Sequence, residues 1–411
     1  MRLRIAIIIF LTLSVGGFAA LSLLRGQDRP LPSPPSAAPA QPLRDLSPLN
    51  DSQKEILLNA QRGAEWLYRM NTVKGRFTPG LAPALQDVVL EDDHYLRQAG
   101  SAFALARAAR FLREDRYTAR ATQTILALLD DTALDTKDQT RCTSMPSSVV
   151  NRLASAGLLV LAINELPDPQ ADLLESSEQL CNFIRRQARS DGSLAIADGK
   201  AAEEADAVSY PGLALYALMR SQVRRPAPWK TDLVRKAVVA YRPWWRDHKN
   251  LECVPWLTAA CTEAYLASKD QSAADFVFEM NDWLCALQYP LDAQHERTWG
   301  GFKGWAEGRP TETPPTITSA CYAEALTNAC RTARQAVDLD RYRRYQGALQ
   351  MDLQFTTRLQ YTEGNTSHFA EWYRSRLVGG FHASQQDGNL RIDATQFAVT
   401  ALLQFVEADV R

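Results

Sequence analysis

Twelve stretches between Asp51 and the end of the chain carry helical periodicity, and the lengths of the connections between them alternate. Connections leaving odd-numbered stretches are mostly long, roughly 13 to 29 residues, while those leaving even-numbered ones are roughly one to three. Tight turns make consecutive helices antiparallel neighbours, so the pattern predicts six helical hairpins. It also places every long connection at one end. Hairpins whose loops load one side in this way close into a ring, and the expected fold is all-α, an (α/α)6 toroid. Any binding site should then be assembled at the loop-rich mouth.

Odd-numbered helices are expected near 51–71, 116–132, 169–189, 229–248, 271–288 and 339–360, and even-numbered ones near 95–114, 147–166, 209–225, 253–270, 316–335 and 392–409. The even set is dense in small residues, as in Gln98-Ala-Gly-Ser-Ala-Phe-Ala-Leu-Ala106 and Leu153-Ala-Ser-Ala-Gly157. A helix flanked on both sides within a ring needs short side chains all round. The odd set carries one charged face, as in Leu233-Val-Arg-Lys-Ala-Val-Val-Ala-Tyr241, and belongs on the outside. The fourth hairpin departs from the rule, with only about four residues from His248 to Cys253, which predicts a low rim there.

The first fifty residues read differently. Residues 1–25 hold an uncharged apolar run, Ile5 to Leu24, behind Met1-Arg-Leu-Arg4. About 20 such residues at helical rise can cross a hydrocarbon core, so this is read as a signal anchor, with a cleaved signal peptide as the alternative. Positive charge ahead of the span puts the N-terminus in the cytoplasm and the folded domain outside, which in a bacterium is the periplasm. Residues 26–50 are rich in Pro, Ala and Ser and read as a disordered tether. Residues 51–411 are left as one toroid domain. With 46 Lys plus Arg against 47 Asp plus Glu, the chain lacks the basic excess of a nucleic-acid-binding protein. The partners expected are a membrane, through the N-terminal helix, and a glycan or other small molecule. Seven cysteines cannot all pair within one chain, and Cys253, Cys261, Cys321 and Cys330 read as packing residues of Ala-rich helices.

Four odd-numbered helices share an ending: an aromatic residue, usually a Gln four or five positions later, then Gly before an aromatic or small residue. The cases are Trp66 with Gly75-Arg-Phe77, Phe183 and Gln187 with Asp191-Gly-Ser193, Trp283 and Gln288 with Gly300-Gly-Phe302, and Phe355 and Gln360 with Gly379-Gly-Phe381. An amide here can satisfy free helix carbonyls while the glycine makes a left-handed turn. This repeat resembles the QW-type motifs of terpenoid cyclases and of the related protein prenyltransferase toroids, and Gly-Gly-Phe also occurs in sugar-processing α/α toroids. The resemblance implies the toroid across most of residues 51–411. The chemistry of those families does not transfer. Glu91-Asp-Asp93 and Asp130-Asp131 lack the cyclase Asp-x-Asp-Asp pattern, and Thr318-Ser-Ala-Cys321 lacks the Asp of a prenyltransferase zinc site. No metal or other cofactor is expected.

The first turns of the even-numbered helices carry the candidate chemistry. Glu91-Asp-Asp-His-Tyr-Leu-Arg-Gln98 gathers carboxylates, an imidazole, a guanidinium and an amide at one helix start. Its bland explanation is helix capping by Asp92 or Asp93. If the ring closes, Asp93 and His94 should meet His382 and Asp393 of the last hairpin, giving a catalytic acid/base set. Arg97, Gln98 and Gln396 would bind substrate beside them. Trp299, Trp305 and Glu312 in the fifth long loop, with Tyr210, Trp256 and Tyr322 at helix starts, would offer the stacking faces and charged groups that suit sugar rings, unless they plug the ring. A basic, Trp-rich stretch from Arg220 to Arg246 reads as a solvated outer face, with lipid headgroups or an acidic polymer as alternatives. The functional expectation is a membrane-tethered, extracytoplasmic toroid that binds a glycan and hydrolyses or epimerises it. An isoprenoid-binding toroid and a non-catalytic scaffold are the alternatives.

Overall fold

The computed structural model describes residues 46–85, 88–89, 94–196 and 204–410. These residues fall within one compact unit, Leu43–Arg411. The expected anchor and most of the tether lie outside the described residues. Among those that are described, no helix is long and apolar enough to cross a membrane.

All twelve expected helices form. The outer set is α1 (Asp51–Met70), α3 (Asp115–Leu129), α5 (Ala171–Arg186), α7 (Pro228–Asp247), α9 (Gln271–Cys285) and α11 (Leu339–Thr357). The inner set is α2 (Tyr95–Leu112), α4 (Arg152–Glu165), α6 (Glu204–Arg224), α8 (Val254–Ser268), α10 (Ser319–Gln335) and α13 (Ile392–Val410). Each inner helix packs on the next, and α13 returns to α2, so the ring is closed. Each outer helix rests in the groove between two inner ones. On α4 every residue from Leu153 to Glu165 is buried, and on α2 every one from Gln98 to Ala109, because neighbours press from three sides. At Gly212 of α6 an added Cβ would come within 2.8 Å of the Leu257 backbone nitrogen on α8, so glycine sets that close approach.

Asn50 starts α1 with a reciprocal cap, its Oδ1 accepting from Gln53 N at 2.9 Å and its own N–H donating to Gln53 Oε1 at 2.8 Å. The long connections are not plain loops. They hold three small antiparallel sheets, from β1 (Gly80–Ala82), β2 (Val88–Val89), β3 (Thr132–Asp135), β4 (Thr140–Thr143), β5 (Gly304–Ala306), β6 (Arg309–Thr311) and β7 (Leu390–Arg391), and a short helix α12 (Glu371–Leu377). The all-α expectation is corrected to that extent. Strands of two to four residues offer too few alternations to show a period in sequence. One sheet has a closing role: β1 from the first long connection pairs with β7 from the last, Gly80 opposite Arg391 and Leu81 opposite Leu390.

The repeated ending is a staple between successive outer helices. Gly300 and Gly379 have φ of 86° and 96°, and a Cβ on either would run into backbone of the next outer helix, Met351 on α11 and Arg62 on α1 respectively. Gln288 Nε2 donates to Gly300 O at 2.9 Å and to Ala348 O of α11 at 2.8 Å. Gln360 Nε2 does the same to Gly379 O at 3.0 Å and Asn59 O of α1 at 2.9 Å. The amides thus join a loop to the neighbouring helix, whereas the sequence assigned them to their own helix end. In the α5 repeat the bridge runs from Ala188 to Leu194, so the plug is one residue beyond Ser193.

At the short-turn end the inner helices finish in charges of alternating sign: Arg107 and Arg110 on α2, Glu165 on α4, Arg220 on α6, Glu263 on α8, Arg331 on α10 and Glu407 on α13. Glu165 meets Arg110 at 2.8 Å and Arg220 at 3.0 Å, Arg110 meets Glu407 at 2.6 Å, and Arg331 meets Glu263 at 2.8 Å. Because the inner helices run parallel, their C-terminal dipoles converge here and favour cations, which accounts for the arginines. Burial alone would raise the Glu165 carboxyl, but Arg220, Arg110 and Arg107 together hold it far below the usual range.

Candidate functional site

The opposite, loop-rich end gathers the first turns of the inner helices. An inner helix is covered by its neighbours and backed by outer helices, so a side chain that stays partly exposed there can face only the ring axis or an open end. Arg97, Tyr210, Trp256, Cys321, Tyr322, Glu324 and Phe397 are all partly exposed. Glu324 lies in the second turn of α10 and keeps a small exposed fraction at that depth.

Two carboxylates lie on these helices. Asp393, at the start of α13, takes Arg97 Nε of α2 at 3.2 Å and Arg391 Nη2 at 2.6 Å. This is the contact between the first and last inner helices that ring closure requires. Glu324 accepts from Thr400 Oγ1 on α13 and lies 3.5 Å from Arg107 Nη1. Burial raises its pKa, outweighing the opposing pull of Arg107 and Thr400. The thiol of Cys321 stands in the field of Glu324, Asp352 and Asp393, and burial first, then those carboxylates, pushes it well up. Glu324 and Asp393 thus lie on adjacent helices, Glu324 beside Thr400, about two helical turns along α13 from Asp393. Glu324 did not emerge from sequence, because a single Glu in an Ala-rich helix carries no motif.

Several expected site residues serve the frame. Gln98 is fully buried and clamps Phe77, accepting from its N–H at 2.7 Å and donating to its carbonyl at 2.8 Å, so it is not free to bind substrate. Gln396 is 4% exposed and packs against Gly100, where an added Cβ would meet its Oε1 at 2.8 Å. Trp299 stacks on the Arg358 guanidinium, 4.1 Å from its ring centre, and Trp305 packs edge-on against Trp283 of α9 at 5.1 Å. Both are turned toward outer helices. Glu312 is exposed and bound to Lys303 at 2.7 Å. Tyr210, Trp256 and Tyr322 are partly exposed near the starts of their inner helices. Trp256 lies 6.0 Å from the Tyr216 ring and Tyr322 is edge-on to Phe302 at 5.2 Å.

His94 is the N-cap of α2, its Nδ1 accepting from Leu96 N at 3.3 Å. Asp93 lies outside the described residues. His382 holds Ser384 O with Nδ1 at 2.7 Å and packs 5.2 Å from the Tyr361 ring. Burial lowers its pKa against the opposing effects of Ser384 and Asp387. The basic stretch on α6 and α7 is largely neutralised: Lys230 meets Glu178 at 2.8 Å, Arg225 meets Glu175 at 2.9 Å, and Arg242 and Arg246 share Glu279.

No protein-family model matches the chain, and no curated protein matches it. Solved structures do. A cellobiose 2-epimerase from Bacillus thermoamylovorans is similar over 87% of this chain and 100% of its own, with TM-score 0.64 and 11% identity. A D-mannose isomerase aligns over 86% and 99% with TM-score 0.62 and 12% identity. An unsaturated glucuronyl hydrolase specific for heparin aligns over 87% and 96% with TM-score 0.53 and 14% identity. At such identities the likeness is one of fold, and that fold is the α/α toroid.

Proposed function

We propose that the chain binds a glycan on the ring axis at the loop-rich end and hydrolyses a glycosidic bond there. The observation that carries this is the pair of carboxylates on adjacent inner helices, Glu324 with its pKa raised by burial and Asp393 set between two guanidiniums. Two carboxyl groups in unlike surroundings are what acid/base cleavage of a glycoside needs. Glu324 keeps its proton to higher pH and delivers it to the leaving oxygen, while Asp393 takes the proton of the attacking water. Tyr210, Trp256 and Tyr322 supply faces for sugar C–H groups, and Arg97 reaches hydroxyls. That toroids of this fold include sugar epimerases, isomerases and glycoside hydrolases supports the reading. An isoprenoid site would want an apolar tunnel, and these axial charges do not supply one.

The test is a panel of neutral and acidic oligosaccharides incubated with the full-length protein in detergent, with products followed by mass spectrometry. Wild type should shorten at least one, its kcat/KM falling as rising pH deprotonates Glu324. Glu324→Gln should lose about 100-fold or more in kcat while still binding. Cleavage by Glu324→Gln at the wild-type rate would remove the proposed acid, and no substrate among the panel would remove the reading.

A further inference from the structure

A second cavity, of about 380 Å³, opens at the short-turn end, among the alternating charges that close the inner ring. It opens at the other end of the inner helices from Asp393 and Arg97, and among its lining residues Arg107 is the one that also reaches Glu324, at 3.5 Å. Converging helix C-termini explain why arginines are there. They do not explain a void, since a purely structural lock would pack shut. Five arginines line it, against three glutamates.

Guanidinium groups only donate hydrogen bonds and carboxylates only accept them, so each Arg–Glu pair along the wall suits a hydroxyl, which does both. The excess of two guanidiniums is left for an anion. Arg334, at the rim on α10, forms no ion pair among the described residues, and Arg331 one turn earlier uses one nitrogen, Nη1, for both Glu263 and Asn328, each at 2.8 Å. The buried Nε atoms of Arg107 and Arg220 also have no acceptor, a further sign that donors outnumber acceptors in this wall. The volume matches a sugar-sized molecule.

We infer that this cavity is a binding site for a monosaccharide-sized polyol bearing one oxyanionic group, a carboxylate or a phosphate. Arg331 and Arg334 hold the anion, and the alternating Arg–Glu wall holds the hydroxyls.

The full-length protein in detergent is titrated calorimetrically, at constant ionic strength, with D-glucuronate, D-glucose 6-phosphate and D-glucose. One or both acidic sugars should bind at least about tenfold tighter than glucose, and which one does so separates carboxylate from phosphate. Arg334→Ala, an exposed and unpaired position, should weaken that binding about tenfold without lowering the melting temperature of the ligand-free protein. Arg97→Ala, at the far end, should leave it unchanged. Equal affinity for glucose, no saturable binding, or binding lost in Arg97→Ala but kept in Arg334→Ala would each overturn the assignment. Because none of these variants touches Glu324, this site can fail while the hydrolytic reading stands, and the reverse.

Discussion

Asp352 shows what a single side chain can cost inside this ring. It sits on α11 with no exposure, both carboxylate oxygens lack a hydrogen-bond partner, and burial raises its pKa well above the ordinary 3.8. An acid with a raised folded pKa favours the native state fully below its unfolded pKa, and that contribution is lost as pH climbs through the folded one. Asp352→Asn should therefore raise the melting temperature increasingly from about pH 4 upward and change little below it, which thermal melts across pH would show. A loss of stability at neutral pH would mean that the carboxylate has a partner. Legibility in sequence also divides by residue. Arg97 and Asp393 could be foreseen, because polar groups at inner-helix starts must converge once the ring closes. Glu324 could not, since its role comes from depth along an axis that exists only in the closed ring. Gln98 looks like a ligand by type and position, yet its amide matches the backbone of Phe77 so well that the fold consumes it.

Helices were legible because each runs long enough to repeat its period, and their starts and stops carry Asn, Pro and Gly. The paired strands were not, and with them went the orientation of Trp299 and Trp305, which a loop reading sends to the mouth and the structure turns toward α11 and α9. The staple was half legible: sequence showed the glycines, while their partner, the backbone of the next outer helix, is a tertiary fact. Gly300→Ala combines a left-handed φ of 86° with a clash against the Met351 carbonyl, and should destabilise by about 3 kcal/mol in chemical denaturation. Ala in the exposed turn at Gly308, which shares a positive φ of 75° but has nothing within 4 Å of an added Cβ, should cost about 1 kcal/mol. Equal losses at the two sites would refute the staple.

At the scale of the whole molecule, closing the ring creates two unlike ends. Long connections crowd one, where helix N-termini meet and Asp393 binds Arg97; tight turns finish the other, where alternating charges surround a cavity. The alternation of loop lengths revealed the first end. The second was hidden because its charges are spaced along six separate helices and only the ring sets them side by side. On the hydrolytic proposal, substrate lies on the axis at the loop-rich end. The direct measurement is hydrogen exchange of the full-length Glu324→Gln protein with and without the oligosaccharide that wild type cleaves. Protection is predicted in peptides spanning residues 94–98, 319–324 and 392–396 and not in 331–337. Protection confined to the outer helices or to the short-turn end would contradict it.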